Sequence, residues 1–147
     1  MGRLTLPICG SAYIDTNIII FSVEEIEPYH GLLRPFLAAA QAGQLHVITS
    51  ELSALEVLVR PLREQNQRLV ALFEAALDTA ELETVPITLP ILREAARLRA
   101  DVASLRTPDA IHAATARLTG CDVLVSHDVR FRAVPGLNHL YLGDITG

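Results

Sequence analysis

The chain contains no lysine: all 12 basic side chains among its 147 residues are arginine. Any mechanism that needs a catalytic lysine is thereby excluded. Cysteine is nearly as scarce. Cys9 and Cys121 stand far apart, each at the start of an apolar run, too few and too distant for a disulfide framework or a zinc site. They read as buried structural thiols. Positive charge is in deficit, with a net charge of −5 and a pI near 5.5, which excludes a protein that coats DNA or RNA through a basic surface. It does not exclude an enzyme that holds phosphate through metal ions, where acids belong in the site. No apolar run approaches the ~18 residues of a membrane span. The first residues carry Arg3 and Pro7 but no apolar core of a secretory signal. A reducing cytoplasm is the expected location.

Hydrophobic residues are plentiful, at 50%, enough for a folded core. The length suits one domain over residues 1–147. A first strand is expected over Ile8 to Ile14, followed at once by Asp15-Thr16-Asn17, with Asn17 or Thr16 capping a helix from Ile18. A second helix is expected from Tyr29 to Ala42, with Leu33, Phe36, Leu37 and Ala40 on one face. A strand at Leu45 to Ile48 leads to a helix capped by Ser50, with Leu52, Leu55, Val59 and Leu62 as its apolar stripe, interrupted or ended by Pro61 near Arg60. A further helix runs from Gln65 to Leu77, a strand from Glu83 to Ile87, and a helix from the Thr88 cap to Val102. Thr107-Pro108-Asp109 is a helix start with a capping Thr, a Pro at the first helical position and an acid in the first turn. Its inward stripe is Ile111, Ala114, Thr115 and Leu118, and Gly120 ends it. Strands at Cys121 to Val125 and Leu140 to Leu142 close the chain. Strands that alternate with helices predict an α/β fold, a central parallel sheet with helices on both faces.

Four acids stand out. Asp15 ends a buried strand, where an unpaired charge is costly; a helix-capping role and a cation-binding role both suit it. Asp128 lies three residues past the apolar run ending at Val125. If that strand neighbours the first, both carboxylates reach one edge of the sheet, where ligands of open α/β sheets bind. By itself Asp128 is an ordinary turn residue. Asp109 suits the positive end of a helix dipole, but it shares a face with His112, Ala113 and Ala116, whose small side chains predict a closely packed neighbour. Glu56, by its local pattern, is a solvated helix residue paired with Arg60. If the four converge, their mutual repulsion calls for a cation among them. Oxygen ligands of this kind suit Mg²⁺ or Mn²⁺, and the natural chemistry is phosphodiester hydrolysis.

With these residues in view, Tyr13-Ile14-Asp15-Thr16-Asn17 resembles the opening motif of the PIN-domain nucleases, especially the VapC-type toxins of toxin–antitoxin pairs. The stretch from Ile48 to Glu56 resembles their second motif, with its acid at Glu56 rather than Glu51. Residues 105–116 resemble the third, with its acid at Asp109, and Val125 to Phe131 the last, with its acid at Asp128. Pro135-Gly136-Leu137 resembles the family's usual tail. The resemblance spans about residues 11–142. It implies a PIN-like fold, Mg²⁺- or Mn²⁺-dependent cleavage of RNA, a homodimer, and a VapB-like antitoxin partner that blocks the site. It assigns Asp15, Glu56, Asp109 and Asp128 to the metal and to catalysis, with Thr16 and Asn17 in support. It moves Glu56 from the surface to the site. Two positions depart from the pattern. His127 stands where relatives usually have Asn, and Arg130 where many carry a further acid. His127 is expected to orient a neighbour or to serve the turn, and His112 to pack within its helix. Arg60, Arg63, Arg106, Arg130 and Arg132 are candidate phosphate contacts, each with an ordinary surface reading beside it.

Two other classes fit parts of the pattern. A catalytically silent binding module would keep the fold and lose the metal; the four intact acids speak against it. A phospho-acceptor signalling domain also ends a strand on Asp, but it needs a nearby Lys. A PIN-type nuclease acting on other nucleic acid shares the chemistry of the first reading.

Overall fold

Short apolar runs become strands, and the amphipathic segments between them become helices. The computed structural model describes residues 5–145. In chain order the elements are β1 (Gly10–Ile14), α1 (Thr16–Val23), α2 (Tyr29–Gln41), β2 (Leu45–Ser50), α3 (Leu52–Arg63), α4 (Gln67–Leu77), β3 (Leu82–Val85), α5 (Leu89–Asp101), α6 (Thr107–Leu118), β4 (Val123–Ser126) and β5 (His139–Tyr141). Two short 3₁₀ turns, Val129–Ala133 and Leu142–Asp144, flank β5. The expected α/β fold, a central parallel sheet covered on both faces, is observed.

The strands pair in parallel in the order β3-β2-β1-β4-β5. The chain lays down β1, builds outward to β3, then crosses back to place β4 on the other side of β1. That reversal opens a crevice beyond the carboxyl ends of β1 and β4. Their register pairs Ile14 with Val125, so the residues that follow each strand meet there.

Alternation along β1 divides the core. Ala12 and Ile14 face one layer, with Ile18 of α1, Leu33 and Phe36 of α2, and Phe73 of α4. Tyr13 faces the other, with Ile48, Leu124, and residues of α5 and α6 such as Leu98 and Ala114. Gly10 adopts φ +81°, and a Cβ there would collide with the Asp122 carboxylate, which accepts the Ser11 N–H at 2.9 Å. This contact pins the start of β1 to the entry of β4.

Several local expectations are corrected. The helix α3 does not bury Leu55, Val59 and Leu62, which are exposed; it buries Ser53, Val57 and Pro61. The reason is polar as much as apolar: the Ser53 and Thr49 hydroxyls meet at 2.8 Å, and Thr49 donates to the Ile14 carbonyl. Pro61 lies within α3, which continues to Arg63. Leu118 of α6 is exposed as well, and α6 is buried on all sides from Asp109 to Ala116. The close neighbour predicted from its alanines is present. Cys9 is exposed rather than buried, and Cys121 is half-buried; both are free thiols. No helix among the described residues is long and apolar enough to cross a membrane.

Candidate active site

Asp15 follows β1 directly and is almost wholly enclosed. Its backbone N–H donates to the Val125 carbonyl of β4 at 3.3 Å. Its carboxylate accepts the Ile18 N–H at 3.4 Å, so Asp15 itself caps α1, not Thr16 or Asn17. Those two belong to the helix, because the strand passes into it without an intervening turn. Asp128 follows β4 through the turn at Ser126 and caps the 3₁₀ turn by accepting the Arg130 N–H at 2.9 Å. Arg130 also lies 3.4 Å from the Asp128 carboxylate, so the residue that replaces an expected acid partly neutralises its neighbour.

Asp109 sits in the first turn of α6 and is 6% exposed. The helix starts one residue earlier than expected: Arg106 is the cap, and Thr107 is already helical. The Asp109 carboxylate accepts the Arg106 N–H at 3.2 Å, which satisfies an orphan donor of the helix start. Arg106 returns toward it with Nε 3.6 Å away.

Glu56 projects from α3 toward the same place. It does not pair with Arg60, which is drawn to Glu24 at 2.5 Å. Instead Glu56 Oε1 accepts the Thr16 hydroxyl at 2.8 Å and lies 2.6 Å from His112 Nε2. Asp15, Thr16, Asn17, Glu56, Arg106, Asp109, His112 and Asp128, with Ile20, Pro108 and Phe131, line one cleft of about 450 Å³. All four acids singled out in the sequence thus share it, delivered by four separate segments. Arg106 is the cleft's arginine, while Arg132 is held by Asp144 at 2.7 Å.

Electrostatics separates the acids. Burial pushes the Asp15 carboxyl up from 3.8 to about 7; the neighbouring His112 and the Ile18 N–H oppose this, and the Asp128 and Glu56 charges add to it. Burial would raise Glu56 too. Its hydrogen bonds to His112 and Thr16 and the charge of Arg106 outweigh that and leave it below the ordinary value. An enclosed carboxyl surrounded by like charges fits a hard divalent cation in charge and in donor type. In position the acids line the cleft without closing on one point: among the described residues no three His, Cys, Asp or Glu side chains form a ready chelate.

His112 is more than a packed helix residue. Its ring is buried, and its second nitrogen, Nδ1, lies 2.6 Å from the Tyr13 hydroxyl. The alanine-rich face around it marked close packing in the sequence, and an imidazole on such a face needs partners; which partners was not legible. His127 turns away from the cleft into a cluster of rings, stacked on Tyr141 at 5.1 Å and tilted against Tyr29 at 4.5 Å.

A family model for the PIN domain matches residues 12–137. No curated protein matches the chain significantly. Among solved structures, the chain is similar to VapBC2 of Rickettsia felis bound to a fragment of promoter DNA, with a TM-score of 0.71 at 15% identity, covering 89% of this chain and 98% of that one. It is similar to a toxin–antitoxin complex of Klebsiella pneumoniae, with a TM-score of 0.65 at 24% identity, covering 86% and 94%. It is also similar to VapBC-5 of Mycobacterium tuberculosis, with a TM-score of 0.60 at 23% identity, covering 90% and 97%.

Proposed function

Because this chain belongs to the PIN-domain family of nucleases, we propose that it is a divalent-metal-dependent endoribonuclease, the toxin of a toxin–antitoxin pair. The observation that carries this reading is the cleft that Asp15, Glu56, Asp109 and Asp128 line together, with Asp15 buried among like charges. These four would hold Mg²⁺ or Mn²⁺. When bound, such an ion polarises a phosphodiester, lowers the pKa of water and stabilises the leaving oxygen.

The chain's own groups do the rest. Asp15 and Asp109 are fixed by helix-start hydrogen bonds, so their carboxylates are oriented before any ligand arrives. Thr16 donates to Glu56 and ties α1 to α3. Arg106, with an exposed side chain at the rim, offers its planar guanidinium to the backbone of an incoming strand. Asn17 supplies a polar side chain in the same cleft. RNA as the substrate follows from the family resemblance and is the part the cleavage assay decides.

Partners follow the same logic. An antitoxin that blocks the cleft is supported by the toxin–antitoxin complexes among the similar structures. Association with a second copy is supported by α3, whose outer face leaves Leu55, Val59 and Leu62 exposed while its inner face packs on the core. A helix apolar on both sides calls for a partner. Leu55→Glu with Leu62→Glu is expected to convert a dimer to a monomer in light scattering. Because α3 carries Glu56, cleavage should fall with the loss of the partner.

The direct test is cleavage of total RNA with Mn²⁺ or Mg²⁺, alongside single- and double-stranded DNA. Discrete RNA fragments that disappear with chelator establish the activity. Cleavage of DNA alone would reassign the substrate. A folded protein that binds no metal and cuts nothing would replace the nuclease with a silent binding module.

A further inference from the structure

A chain of hydrogen bonds runs through the wall of the cleft, and the roles of the four acids do not account for it. It begins at Tyr13 of β1, a fully buried side chain. The Tyr13 hydroxyl and His112 Nδ1 are 2.6 Å apart. Across the ring, His112 Nε2 and Glu56 Oε1 are 2.6 Å apart. The same oxygen accepts the Thr16 hydroxyl at 2.8 Å. The imidazole therefore joins β1, α6 and α3, and the Glu56 carboxylate extends the chain to α1.

The order of donors can be read from the partners. A phenol is an O–H at neutral pH, and inside a dry core its proton needs an acceptor. His112 Nδ1 is that acceptor, so Nδ1 carries no proton. The ring proton then sits on Nε2 and faces a carboxylate oxygen, the arrangement that satisfies both ends of the chain. The reversed tautomer would set the phenol O–H against an N–H and leave Nε2 and Glu56 as two acceptors in contact.

Building on the metal-dependent reading above, we propose that His112 is a positioning residue for Glu56: the Tyr13 hydroxyl fixes its tautomer, and its Nε2–H, with the Thr16 hydroxyl, holds the Glu56 carboxylate in place to take a divalent cation. Glu56 needs such a holder more than its companions do. Asp15 and Asp109 are short side chains bonded to the backbone of their own helix starts. Glu56 is longer, sits mid-helix with 28% of its side chain exposed, and would otherwise lose considerable rotamer freedom on binding an ion. Both donors act on the same oxygen, Oε1. Partners of this outer kind fix ligand orientation and typically change metal affinity by about 10- to 100-fold when lost.

Two measurements test this on the intact chain. In the metal-free protein, two-bond ¹H–¹⁵N spectra should show His112 protonated on Nε2 and bare on Nδ1, and Tyr13→Phe should let the Nδ1-protonated form appear beside it. Mn²⁺ titration followed by electron paramagnetic resonance should show Kd raised about 10- to 100-fold in His112→Ala. His112→Gln, whose amide N–H can take the place of Nε2–H, should restore most of the affinity, with circular dichroism unchanged across the series. A proton on Nδ1, an unchanged Kd in a folded His112→Ala, or a Gln variant as weak as the Ala variant would overturn the proposal. Should His112→Ala fail to fold, the tautomer and the Mn²⁺ affinity of Tyr13→Phe decide, and a Tyr13→Phe protein unchanged in both would overturn it. A wild-type protein that binds no Mn²⁺ would sink the nuclease reading and this proposal together. Normal wild-type binding with no effect of the variants would sink this proposal alone.

Discussion

Asp15→Asn is expected to abolish cleavage and, in the same protein, to stabilise the metal-free fold. The loss of activity follows from the burial of Asp15 beside the Asp128 and Glu56 charges, in the cleft proposed to hold the ion. Removing a ligand charge that supports several kcal/mol of transition-state stabilisation lowers the rate by at least about 10³-fold. The gain in stability follows from burial. In the folded chain the Asp15 carboxyl is pushed up to about 7, whereas in the unfolded chain it titrates near its ordinary value of 3.8. Between those values the folded state keeps a proton that the unfolded state has released. Stability therefore falls as pH rises from about 4 to about 7 and levels off above that. At 1.36 kcal/mol per tenfold change in proton affinity, the ceiling on this cost is about 4 kcal/mol. Asn does not ionise, so the variant should lack this slope and should gain about 2–4 kcal/mol at pH 8 in urea unfolding. Adding Mn²⁺ should reverse the ranking, because the ion stabilises the wild type by mass action and has lost a ligand in the variant. A variant less stable than the wild type at pH 8 without metal would contradict the account.

Asp109 allows its two duties to be separated. It accepts the Arg106 N–H at the start of α6 and lines the cleft. Asp109→Asn keeps an oxygen for the N–H and removes the charge; Asp109→Ala removes both. Both variants should lose at least about 100-fold in cleavage, beyond what the loss of an outer partner costs a metal site. Their stabilities should differ. The Asn variant loses the favourable charge at the helix start, about 0.3–1 kcal/mol. The Ala variant loses the helix-start bond as well, about 1 kcal/mol more. Urea midpoints together with single-turnover cleavage resolve the two duties. Equal midpoints would show that the bond to Arg106 contributes nothing to α6.

These two acids also mark what the sequence could convey. Asp15 and Asp128 were legible because each follows an apolar run that stops at polar residues, and a parallel sheet brings such ends together once β1 and β4 are neighbours. Asp109 was legible through its helix-start chemistry. The face of α3 was not. Leu55, Val59 and Leu62 form the stronger apolar stripe, yet Ser53, Val57 and Pro61 face inward, because hydroxyl bonds to Thr49 compete with apolar area and periodicity counts only the latter. The partners of Glu56 were hidden for a related reason. Arg60 stands at the ideal helical spacing, but His112 and Thr16, distant in sequence, reach the carboxylate first. The caps of α1 and α6 fall earlier than the sequence suggests, on Asp15 rather than Thr16 or Asn17 and on Arg106 rather than Thr107.

The order in which the sheet is laid down carries a further consequence, for the protein during its own synthesis. β1 emerges early, but its second neighbour, β4, comes more than a hundred residues later; Ser11 and Asp122, which bond across that pair, are 111 positions apart. Closing so long a loop is slow compared with forming a helix. No growing chain that stops short of Asp128 contains all four acids, and until β4 inserts beside β1 their platform is incomplete. A ribosome that has not yet added Asp128 therefore holds a chain that cannot present the full set of acids.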